Sequence, residues 1–137
     1  MPSATLIESP DEHHWVLLDH RVTQLVVDAR SLRLQTWSLD ASAEIRLSAP
    51  FTLRLPSGAE RPLDPARTET LAPALAVLRR YVQSVTATRE GELTVELGDG
   101  YAIVVRPSSR ADAWELHGGG ALEGMSYRAG PGRAPWE

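Results

Sequence analysis

The chain has 137 residues, 42% hydrophobic and 23% charged, enough for one domain with its own apolar core. It contains no cysteine, which excludes thiol catalysis and thiolate zinc sites, and its fourteen basic residues are all arginine, which excludes a Schiff-base or P-loop lysine. The formal net charge of −4 argues against a duplex nucleic-acid partner, and no apolar run approaches the roughly 20 residues of a membrane helix.

The N-terminal stretch MPSATLIESPDEHH has no basic segment followed by an apolar core, so no signal peptide is expected and the cytoplasm is the expected location. Residues 1–13 are read as a flexible lead-in. WVLL (15–18) and RVTQLVVD (21–28) are strands, the second with Val22, Leu25 and Val27 out of strict alternation, which predicts a bulge or burial on both faces. Residues 28–31 form a turn with Asp28 at its first position. SLRLQTW (31–37) alternates, Leu32, Leu34 and Thr36 on one face and Arg33, Gln35 and Trp37 on the other. AEIRLSA (43–49) and FTLRL (51–55) repeat the pattern around Pro50.

The period then changes. Leu71, Ala74, Leu75 and Leu78 fall at i, i+3, i+4 and i+7, which predicts one helix over about 70–80, with Thr70 as N-cap and Arg79-Arg80 in the last turn. Strands resume at VQSVTATR (82–89), ELTVEL (92–97), YAIVVRP (101–107) and AWELHG (113–118), separated by turns at Glu90-Gly91 and Gly98-Asp99-Gly100 and by a loop at 107–110. EGMSY (123–127) adds a short strand before an irregular tail over 128–137. The expected fold is a single α+β domain over 1–137. It is mostly antiparallel sheet of about seven to nine short strands, meanders and hairpins, with the one central helix packed on it.

Chemistry is sparse. Asp11-Glu12-His13-His14 has metal-ligand residue types, but adjacent histidines on an extended segment point to opposite sides, and a solvated segment is expected instead. No serine sits in a GxSxG elbow. The carboxylates Glu90, Glu92, Glu96 and Asp99 read as solvent-face charges of hairpins. Gly118-Gly119-Gly120 is not followed by a helix pattern and reads as a flexible loop rather than a phosphate cradle. No catalytic residue, metal or cofactor is assigned. Trp15, Trp114 and Trp136 are expected in packing. Trp37 is the outlier, out of phase with the apolar face of its strand and beside Arg33 and Gln35, a composition that suits a contact surface.

The combination of LTVELGDGYAIVVRP, ADAWELHG and a Gly/Pro-rich tail closing on Trp136 resembles a family of small proteins. With HRVTQLVVDARSLRLQTW near the start, it is similar to those catalogued as domain of unknown function 6188, typical of high-GC actinobacterial genomes. The similarity covers roughly residues 14–136 and implies no catalytic residue. Ala111-Asp112-Ala113 stands where many relatives have an aromatic-acidic pair. The expected function is therefore non-catalytic binding of another protein, in one form as an immunity or accessory protein, or of a second copy as a homodimer. Trp37, Arg33, Gln35, His20 and His117 are its candidate contacts. The alternative is a small-molecule binder or weak hydrolase using the mouth of a curved sheet, with His20, Asp28 and His117 as first candidates.

Overall fold

The computed structural model of the chain describes residues 4–17, 20–107, 113–120, 122, 126–130 and 134–136. Twelve strands run through them: β1 (Ala4–Glu8), β2 (Glu12–Leu17), β3 (Arg21–Val27), β4 (Leu32–Trp37), β5 (Ala41–Leu47), β6 (Phe51–Arg54), β7 (Glu60–Leu63), β8 (Val82–Thr88), β9 (Leu93–Leu97), β10 (Ala102–Val105), β11 (Trp114–Gly120) and β12 (Ser126–Arg128). They form a seven-stranded sheet in the order β1-β2-β8-β9-β10-β6-β7 and a five-stranded sheet in the order β12-β11-β5-β4-β3. Each pairing is antiparallel.

Strict alternation explains the layering. In β4 and β5, Leu32, Leu34, Ile45 and Leu47 are buried while Arg33, Gln35, Glu44 and Arg46 lie on the other face. These apolar residues share one core with Leu53, Val85, Val95 and Ile103 of the other sheet, so the two sheets pack face to face as a sandwich. Trp114, fully buried, also ties the layers by a polar link: its indole N–H donates to the Gly91 carbonyl in the β8–β9 turn at 2.8 Å.

The sheets are joined where β3 begins. Val82 N–H donates to the His20 carbonyl at 2.8 Å, Val22 N–H to that of Arg80 at 2.9 Å, and Arg79 N–H to that of Val22 at 2.8 Å. Arg21 thus faces Tyr81 on one side and Trp37 on the other. Both strands change register here, β3 between Val22 and Gln24 and β8 between Val82 and Ser84. Bulges of this kind bend a strand and let it leave one sheet for the next. Of the two readings of the broken alternation in β3, a bulge or burial on both faces, the structure has the bulge.

The central α-helix is not. Residues Thr68–Thr70 and Ala72–Val77 form two 3-10 turns, closed by i→i−3 bonds such as Ala74 N–H to the Leu71 carbonyl at 2.9 Å. The buried residues are Leu71, Ala74 and Val77, a spacing of three that matches the 3-10 repeat, while Leu75 is 65% exposed. Thr70 is not an N-cap: its hydroxyl accepts from Asp64 N–H at 2.8 Å and donates to the Arg67 carbonyl at 2.7 Å. The fold is accordingly almost all β.

Three further expectations change. Residues 4–13, read as part of a lead-in, include β1 and the start of β2, paired from Ala4↔Leu17 to Glu8↔His13. β7, hidden from a sequence reading by Pro62, lies outermost in its sheet, where a missing N–H is tolerated. Gly118-Gly119-Gly120 is strand rather than loop, paired with Ala43, Ser42 and Ala41. A Cβ at Gly118 would stand 2.2 Å from the Leu122 carbonyl oxygen, so the chain returning toward β12 can pass there only over a glycine. The expected loop at 107–110 lies largely outside the described residues.

Replacing Trp114 by Phe is expected to lower stability by about 1–3 kcal/mol, because a buried carbonyl loses its donor. Urea unfolding of the two proteins measures the difference.

Candidate functional site

The outer face of the five-stranded sheet carries most of the candidate contacts in cross-strand rows. One row runs Gln24–Gln35–Glu44–His117–Ser126, and the next Trp37–Ser42–Gly119. Arg33 donates to Glu44 at 3.3 Å, as does the Gln35 amide. Arg46 lies 3.8 Å from Glu115, so the like charges Arg33 and Arg46, directly opposed, are each offset by a carboxylate. Gln35, Trp37, Glu44 and His117 line a depression of about 240 Å³ whose floor is Gly118 and Gly119. Trp37, 57% exposed, is its wall, and the fully exposed Leu39 follows at the tip of the β4–β5 turn.

Four of the five candidates, Trp37, Arg33, Gln35 and His117, therefore share one face. His20 does not. It is fully buried, with Nδ1 3.4 Å from the Thr36 hydroxyl on the core side of β4. Arg21 and Tyr81, absent from the sequence reading, belong with Trp37. Facing residues of an antiparallel pair project to the same side, so Tyr81, Arg21 and Trp37 form an outward row across the corner between the sheets. Arg21 donates to the Tyr81 hydroxyl, and its guanidinium carbon lies 4.6 Å from the centre of that ring. A strand-by-strand reading misses this row because the β3–β8 junction is long-range. The sequence signal is slight: Arg21 opens a β run and Tyr81 immediately precedes one.

The residues expected to serve a ligand pocket are dispersed. Asp28 is consumed by its turn, accepting from the Ser31 hydroxyl at 2.6 Å and from the N–H groups of Arg30 and Ser31 at 3.0 and 2.9 Å. His13 and His14, expected on a solvated segment, lie on β2 and face opposite ways, and His13 is not solvated: it is buried and stacks on Trp136 with ring centres 3.8 Å apart, while His14 Nδ1 lies 2.6 Å from the Thr86 hydroxyl on the other face. Trp15 and Tyr127 complete this aromatic cluster. Burial, with the Glu8 charge in support, holds the Tyr127 phenol above its ordinary pKa. Among the described residues no three His, Asp or Glu side chains are placed to hold a metal ion. Asp19, which with His20 and a serine would make up a hydrolytic triad, lies outside the described residues. The space enclosed by Trp15, Thr36, Ala43, Ile45, Val85, Leu116 and Leu122 is about 10 Å³, room for a single water.

The class defined by this geometry is a two-sheet antiparallel β protein with one apolar core and a polar-aromatic outer face. A family model described as Family of unknown function (DUF6188) matches residues 14–131, and the chain belongs to that family. No curated protein and no solved structure matches it. No helix among the described residues is long and apolar enough to cross a membrane.

Asp28 gives a pH prediction. The Ser31 hydroxyl first, then the Arg30 amide, hold its carboxyl below the ordinary 3.8. Its stabilisation is therefore present above that value and is lost as pH falls through the lower folded value. Asp28→Ala is expected to unfold at lower urea than the parent at neutral pH, with the gap closing in acid.

Proposed function

We propose that the protein is a small, non-catalytic, cytoplasmic binding protein that engages another protein through the Tyr81–Arg21–Trp37 row. The observation that carries this reading is the row itself. Tyrosine, arginine and tryptophan are the residue types that dominate interface hot spots, and here they stand side by side, exposed and held in register by two backbone pairings. Large aromatics exposed in this way, with Leu39 beyond them, forgo burial that the core would have given them. The partner's chemistry follows from charge: the chain is acidic overall, yet Arg21, Arg79 and Arg80 cluster at this corner, which suits an acidic surface. In its most specific form the partner is an enzyme and this chain its immunity or accessory protein, a form supported by analogy with other small acidic β-rich chains.

Less supports the small-molecule reading, since the space between the sheets beside Trp15, Ile45 and Leu116 is about 10 Å³ where a drug-sized ligand needs roughly 300 Å³ or more. With the tagged chain as bait in native lysate, a stoichiometric partner should be retained. Trp37→Ala and Tyr81→Ala should each weaken its capture by roughly thirtyfold, while Leu75→Ala, exposed on the 3-10 segment, should not. Capture that is indifferent to both row substitutions in proteins of unchanged thermal midpoint refutes the reading.

A further inference from the structure

Beside Tyr81 lies an open groove of about 530 Å³ lined by Leu78, Arg79, Arg80, Tyr81, Gln83 and Asp99, with Gly98. We propose that this groove binds a small phosphate-bearing ligand, with Arg79 and Arg80 as its cationic contacts. The groove shares Tyr81, Arg79 and Arg80 with the corner where the protein-binding row lies, and what it adds is recognition of a small anion.

Three features converge on it. Arg80 is fixed in advance: its Nε donates to the Ala76 carbonyl at 3.1 Å, one terminal nitrogen pairs with Asp99, and its guanidinium carbon lies 4.6 Å from the centre of the Tyr101 ring. A cation held this way loses little freedom when an anion arrives. Arg79 is the opposite case. It is exposed, and its side chain makes no hydrogen bond or ion pair among the described residues, yet its backbone is left-handed at φ 74°. Glycine takes that conformation without penalty, and any residue with a Cβ does not. The backbone requirement is understood, since the Arg79 N–H must reach the Val22 carbonyl, but it asks for no arginine. An unfavourable backbone retained under an unpaired guanidinium points to use of that guanidinium. The third feature is Gln83, which the β8 bulge sets free of regular pairing and which lines the same groove.

Arg79 and Arg80 against Asp99, the single carboxylate lining the groove, leave one net positive charge, which favours an anion, and a phosphate offers acceptor oxygens to both guanidiniums. The groove volume falls within the roughly 300–1,000 Å³ of small-molecule sites.

Inorganic phosphate titrated into the ¹⁵N-labelled full chain, against sodium chloride at matched ionic strength, tests this. Saturable shifts are expected at the amides of Arg79, Tyr81, Gln83 and Asp99 with phosphate alone. Arg79→Asn, which tolerates the left-handed backbone, should keep the fold and weaken phosphate binding about tenfold. Arg79→Gly should bind as weakly while holding or raising the thermal midpoint. Trp37→Ala should titrate as the parent does, which separates failure of this site from failure of the protein-binding face. Shifts equal in phosphate and chloride, or an Arg79→Asn titration matching the parent, overturn the proposal.

Discussion

Three backbone hydrogen bonds between residues 20–22 and 79–82 decide how this molecule is put together. Each buried N–H and carbonyl in a β protein needs a partner, and at this corner the partners lie about sixty residues apart in the chain. Meeting that need bends β3 and β8 through bulges, brings the two sheets together on one side and fixes what stands outside them. The β3–β4 hairpin sets Trp37 beside Arg21, and the placement of Tyr81 beside that pair is a result of this junction. So is the left-handed turn at Arg79: the chain leaving the 3-10 segment must reverse sharply for its N–H to meet Val22. The contact row and the arginine groove are two surface results of one junction.

The interior is organised around tryptophan rather than around a ligand. Trp114 fills the centre, and its one polar atom is answered by Gly91. At another edge of the core, Trp15, His13, Tyr127 and Trp136 bring β2, β12 and the final residues into one aromatic cluster. Between the sheets, beside Trp15, Ile45 and Leu116, the space left by this packing is about 10 Å³.

Local physics made much of the sheet legible from the residues. The alternation of Leu32, Leu34 and Thr36 against Arg33, Gln35 and Trp37 set the two faces of β4, and Asp28 announced its turn by the hydrogen bonds it can offer its own backbone. The broken alternation at Val22 and Leu25 gave away the bulge. The helix misled because Leu71, Ala74, Leu75 and Leu78 satisfy a period of 3.6 while Leu71, Ala74 and Val77 satisfy one of three. The packed face chose the second. Pro62 hid a strand whose outermost place excuses it, and the three glycines concealed strand pairing behind a composition typical of loops. Of the candidate site, Trp37 with Arg33, Gln35 and His117 could be found by phase along single strands. Tyr81 could not, because only the long-range bridge sets it beside Arg21, which the local β3–β4 hairpin in turn places opposite Trp37.

The sheet margins differ in how they discourage self-association. Pro62 blunts β7, a bulge distorts β3, and β12 is three residues long. β1 has none of these devices: Ala4–Glu8 pairs with β2 in unbroken register, contains no proline and carries its sole charge at Glu8. Among the described residues no strand pairs with its outer side, and an unpaired strand of this kind is a template for strand addition, so at high concentration this margin is where one molecule would begin to extend the sheet of another.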